Sequence, residues 1–95
     1  MHLLMSAINV GEVYYFLRKH KGEALAETWR MTSGGLPVRI EVPSAEDIWS
    51  AAVLKSQFPI SYADAFAAAL AQKHRCAVVT GDPEFRSVRQ LAVEC

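Results

Sequence analysis

The 95-residue chain has no surplus of charge, since ten Lys and Arg balance ten Asp and Glu to a formal net charge of +0. That balance excludes a protein held to nucleic acid by bulk charge alone. Cysteine is scarce: Cys76 and Cys95 form no metal-ligand spacing, and without a secretory leader they read as two reduced thiols. Met1-His2-Leu3-Leu4-Met5 lacks the basic start of a signal peptide, and no apolar stretch reaches the roughly 18 residues that span a bilayer. The expectation is a soluble, cytoplasmic protein with no membrane partner. His2, His20 and His74 fall in no ligand spacing, and repeats, linkers and low-complexity segments are missing. Charged residues make up only 21% of the chain against 52% hydrophobic, which excludes disorder and predicts one domain over 1–95 with more apolar surface than it can hide. A partner is therefore expected.

Hydrophobic spacing divides the chain into alternating strands and helices. Leu3–Ser6 reads as a strand and the segment from Asn9 to about Lys21 as a helix, with Gly22 suited to the left-handed position after it. Glu23–Thr32 reads as a second helix, and Pro37–Val42 as a strand closed by Pro43. Ser44-Ala45-Glu46-Asp47 has capping-box spacing ahead of a helix reaching Gln57. Ser61-Tyr62-Ala63-Asp64 repeats the spacing ahead of Ala65–Arg75, which is apolar nearly all round and so predicted to be buried. Ala77–Thr80 reads as a strand, Gly81-Asp82-Pro83 as a turn, Pro83–Val88 as a helical turn and Leu91–Glu94 as a last strand. This alternation predicts an α/β three-layer fold around a mainly parallel sheet.

Four acids stand where helices begin: Glu12 three after Asn9, Asp47 three after Ser44, Asp64 three after Ser61, and Asp82 just before Pro83. Each has a structural explanation, because a carboxylate there accepts backbone N–H groups and complements the helix dipole. Placement argues for more. Open α/β sheets bind ligands beyond the carboxyl ends of their strands, where Glu12 and Asp82 fall, and Asp64 is the one charge at the start of a buried helix. Asp47 instead starts a helix with a wet face. Carboxylates brought together repel unless a divalent cation sits between them, and an oxygen-only donor set suits Mg²⁺ or Mn²⁺.

Three segments carry a resemblance: Ser6-Ala7-Ile8-Asn9-Val10-Gly11-Glu12-Val13-Tyr14-Tyr15, Ser61-Tyr62-Ala63-Asp64-Ala65-Phe66-Ala67-Ala68-Ala69-Leu70-Ala71, and Val79-Thr80-Gly81-Asp82-Pro83-Glu84-Phe85. In order and spacing they resemble the second, third and fourth motif regions of the PIN-domain family, close to its VapC-type toxins. The resemblance implies a metal-dependent endoribonuclease acting on RNA, with Glu12, Asp64 and Asp82 as catalytic metal ligands for Mg²⁺ or Mn²⁺. It also implies Asn9 and Thr80 as polar supports of the cofactor, and a VapB-like antitoxin as partner. The family's usual first strand and its Asp are missing, so the chain reads as a PIN-like fold truncated at its N-terminus. That strand ordinarily lies mid-sheet, and its loss predicts two open strand edges. The alternative is a catalytically incompetent PIN-like remnant that binds RNA or an antitoxin. A haloacid-dehalogenase-type phosphatase, prompted by Thr80-Gly81-Asp82, lacks the Asp-x-Asp strand it needs.

Other residues read more plainly. Arg18, Lys19 and Lys21, Lys73-His74-Arg75, and Arg86 with Arg89 are candidate phosphate contacts or, more simply, solvated helix ends. Spare apolar surface and open edges predict a homodimer, with Tyr14, Tyr15 and Phe16 of the first helix as its contact.

Overall fold

A computed structural model of the chain describes residues 3–33, 38–80 and 91–95. Strand β1 (Leu3–Ser6) leads into helix α1 (Ala7–His20), followed by α2 (Glu23–Ser33), β2 (Val38–Glu41), α3 (Ala45–Gln57), α4 (Tyr62–His74), β3 (Ala77–Thr80) and β4 (Leu91–Glu94). The predicted helical turn at Pro83–Val88 lies outside the described residues.

The four strands form one sheet in the order β2-β1-β4-β3. β1 pairs β2 in parallel, Leu3 facing Val38 and Ser6 facing Glu41. β4 pairs antiparallel with β1, Leu4 facing Val93, and antiparallel with β3 from Ala77↔Glu94 to Thr80↔Leu91. The α/β class is as predicted, with a mixed sheet that is only partly parallel. Its antiparallel strand, β4, lies between β1 and β3, pairing with β3 along its length and with β1 at Leu3 and Leu4. Those two strands therefore do not pair with each other, and among the described residues the outer strands of the sheet are β2 and β3.

Side-chain alternation along β1 builds the three layers. Met5 points to one face, where it packs with Val13, Leu17 and Ala26 of α1 and α2. Leu4 points to the other, against Leu70 and Ala71 of α4 and Val93 of β4. A third cluster joins α4 to α3 through Ala51, Leu54, Ala65, Phe66 and Ala69. Helix α4 is thus wedged between sheet and α3, as its nearly all-apolar composition requires, and its alanines allow close approach on both sides.

Local chemistry sets the helix ends. Gly22 takes φ +102° and donates to the Leu17 carbonyl at 3.0 Å, closing α1. α3 starts with a full capping box: Ser44 Oγ accepts from the Asp47 N–H at 3.2 Å and Asp47 Oδ2 accepts from the Ser44 N–H at 2.9 Å. α1 departs from expectation, because Ser6 is its N-cap, its hydroxyl accepting from the Ile8 N–H at 3.2 Å. Asn9 is therefore inside the helix and Glu12 is in its second turn, so capping does not account for Glu12.

Two further expectations are corrected. Cys76 and Cys95 are joined in a disulfide with Cα atoms 4.9 Å apart, and no described cysteine is free. The register explains it: Ala77 faces Glu94, so the residues just outside that pair face each other across the β3–β4 ladder. In a parallel arrangement they would lie at opposite ends of the sheet. The aromatic run of α1 is also mostly internal, with Tyr14 and Phe16 packed against the α1–α2 core and Tyr14 Oη donating to Glu27 Oε1. Tyr15 alone stays well exposed.

Candidate metal centre

Near the carboxyl end of β1 the helices that carry Glu12 and Asp64 meet. α1 leaves from Ser6, and α4 arrives with its first turn against it. The join is one side-chain hydrogen bond, Asn9 Nδ2 donating to the Ala63 carbonyl at 2.9 Å. Glu12 follows Asn9 by three residues and so lies on the same face of α1, while Asp64 directly follows Ala63. Both carboxylate-bearing residues are half-buried, and the bond fixes the backbone beside one of them to the helix that carries the other. Ser61 caps α4, its Oγ accepting from the Asp64 N–H at 3.1 Å, which places Asp64 in the first turn at the positive end of the helix dipole.

Asn9 is buried, and its Oδ1 has no hydrogen-bond partner among the described residues. A buried amide oxygen left unserved needs a donor such as a water, and a water held by a hard divalent cation would supply one. The residues present fit such an ion in donor chemistry. In number they fall short, since the described residues contain no cluster of three or more His, Cys, Asp or Glu side chains able to hold a metal. Thr80 ends β3, opposite Leu91. Asp82, with Glu84, Arg86 and Arg89, lies outside the described residues.

Asp47 lies elsewhere in function. Besides Ser44 it holds Lys73 Nζ at 3.4 Å, nine residues past Asp64 and so about 13 Å further along α4. The Ser44 N–H first, then its hydroxyl and Lys73, hold the Asp47 carboxyl below its ordinary value, against the opposing effect of partial burial. Its role is the cap and ion pair that its position predicts.

One acid escaped the sequence reading. Glu41 ends β2 beside Ser6, and accepts from Arg39 at 2.6 Å and from His74 Nε2 at 3.0 Å. The strand-end rule that singles out Glu12 and Asp82 applies equally to Glu41, and was the signal available. The His74 hydrogen bond first, then Arg39, lower its pKa in spite of partial burial. With both oxygens so engaged, Glu41 anchors the end of α4 to the sheet.

The candidate phosphate contacts are in part committed too. Arg18 pairs with Glu23 at 3.6 Å, Lys73 with Asp47 and His74 with Glu41, while Lys19 lies over the Tyr15 ring at 5.7 Å. Arg75 is the left-handed C-cap of α4 with φ 56°.

A three-layer α/β domain whose first helix leaves the end of its first strand and is bonded to the first turn of its fourth helix defines the class. Residues 2–91 match the family model described as PIN domain. The chain belongs to the PIN-domain family. PIN domains are typically metal-dependent nucleases that use divalent metals, so membership points to a nuclease and to RNA as what it binds. No curated protein and no solved structure matches the chain significantly. No helix among the described residues is long and apolar enough to cross a membrane.

Proposed function

We propose that the chain is a metal-dependent endoribonuclease of the VapC type, a cytoplasmic toxin paired with a VapB-like antitoxin. In this reading Glu12, Asp64 and Asp82 hold Mg²⁺ or Mn²⁺, with Asn9 and Thr80 as polar supports. The observation that carries it is the Asn9–Ala63 hydrogen bond, which ties the helix of Glu12 to the turn of Asp64 beside an orphaned acceptor. A divalent cation there supplies an activated water and offsets charge growing on the phosphoryl oxygens. The protein's own contribution is to fix the oxygen donors on two packed helices, so that little reorganisation is needed when an RNA phosphate arrives.

Removing one anionic ligand from a hard cation's site weakens it severely, whereas losing a cap costs only about 1 kcal/mol of stability. Asp82→Asn should therefore abolish Mn²⁺-dependent RNA cleavage while Asp47→Asn retains it. Equal loss in both variants, or cleavage that survives EDTA, removes the proposal.

A second reading, a PIN-like binding module without competent chemistry, draws on the absence of a cluster of three ligands among the described residues. Mn²⁺ titration separates the two: a competent site binds in the micromolar to millimolar range and cuts, and the module does neither.

A further inference from the structure

Resting on the nuclease reading, one residue takes a more definite part than that of a general polar support. Asn9 is 1% exposed, and a buried amide costs stability unless its hydrogen bonds are made. Only its donor side is served, by the Ala63 carbonyl 54 residues along the chain at 2.9 Å. Its acceptor side is unserved among the described residues. An apolar side chain of the same size would fill the space without that penalty, so what the amide contributes through a bond that is made is the N–H it gives to α4. Ala63 is the residue immediately before Asp64, and Asn9 is one turn before Glu12. The bond therefore ties the backbone beside Asp64 to the helix of Glu12, and a shift of α4 along α1 would have to break it.

We propose that Asn9 is a positioning residue that acts through Ala63 to place Asp64 against Glu12, and is not itself a metal ligand. The committed donor also fixes which way the amide is turned, so Oδ1 is held as an acceptor and not free to rotate. An aspartate at this position separates the two roles. It keeps the shape and adds a negative charge, so a ligand role predicts Mn²⁺ binding as tight or tighter. It has no N–H to offer Ala63, so a positioning role predicts weaker binding despite the added charge.

The test is Mn²⁺ titration of the full chain, with free Mn²⁺ read by electron paramagnetic resonance, for wild type, Asn9→Asp, Asn9→Ala and Leu54→Val. Leu54 packs in the α3–α4 core and controls for a general loss of stability. The expected result is affinity about tenfold weaker or worse in both Asn9 variants, the usual effect of removing a residue that orients a ligand, with Leu54→Val unchanged. Asn9→Asp binding as tightly as wild type overturns the proposal. A wild type that binds no Mn²⁺ removes the nuclease reading, and the positioning role is then decided by NMR on metal-free protein. One Asn9 Nδ2 proton should exchange slowly with solvent, and the Asp64 amide resonance should move in Asn9→Asp. Fast exchange of both Nδ2 protons, or an unmoved Asp64 amide, overturns it.

Discussion

Single residues at the ends of elements carry measurable consequences. Glu41 is held below its ordinary value of 4.5 by His74 and then Arg39, so the fold favours its ionised form. The stability it lends is complete above that value and is lost as pH falls through the lower folded value. Urea midpoints of wild type and Glu41→Gln should differ at about pH 6 and converge towards about pH 3, below the usual carboxylate range. A constant difference would show that the ion pair adds nothing. Gly22 adopts φ +102° with nothing within 4 Å of a built Cβ, so Gly22→Ala should cost about 1 kcal/mol from conformation alone, read as a lower urea midpoint with an unchanged slope. Both Gly22 and the Ser44–Asp47 box were legible in the sequence because they are local. Asn9 was legible as a polar residue in a motif, yet its partner is 54 residues away, and no spacing rule joins them.

At the scale of elements, the sequence located all eight strands and helices found, to within a few residues. It misplaced the start of α1, because Ser6 both ends a strand and caps a helix. What pattern could not reveal was strand direction. A short apolar run such as Leu91–Glu94 is compatible with either sense, and the pairing of Cys76 with Cys95 follows from that sense, whereas the absence of a secretory leader had them read as reduced thiols. That disulfide closes a loop with a sequence separation of 19, which in the chain-entropy account is worth about 3 kcal/mol. Cys76→Ser should lower the unfolding free energy by about that amount under oxidising conditions and match wild type in dithiothreitol. An equal midpoint in both conditions would mean the bridge is not formed in solution. Asp82 sits within the same closed loop, so the bridge also limits how far its strands can part.

For the whole molecule, the apolar surface foreseen from composition lies on α3 more than on α1. Ile48, Trp49 and Val53 are all exposed along one side of α3, with Phe58 just beyond it. The proposed homodimer is then expected to bury that side, with at least about 1,200 Å² in total. Sedimentation should show a dimer at micromolar concentration that Val53→Asp converts to monomer, and a wild-type monomer would leave the face to another partner. The central place of β4 has a consequence in time as well as space. During synthesis β1 emerges well before β4, its inner neighbour, and Leu4 meets Val93 only across a long stretch of chain. Helices α1 and α2 can close on each other early, while the sheet must wait for β4. A nascent chain stalled before Leu91 therefore exposes the inner sides of both β1 and β3, and the step that buries them is a docking of long sequence range, the slow kind.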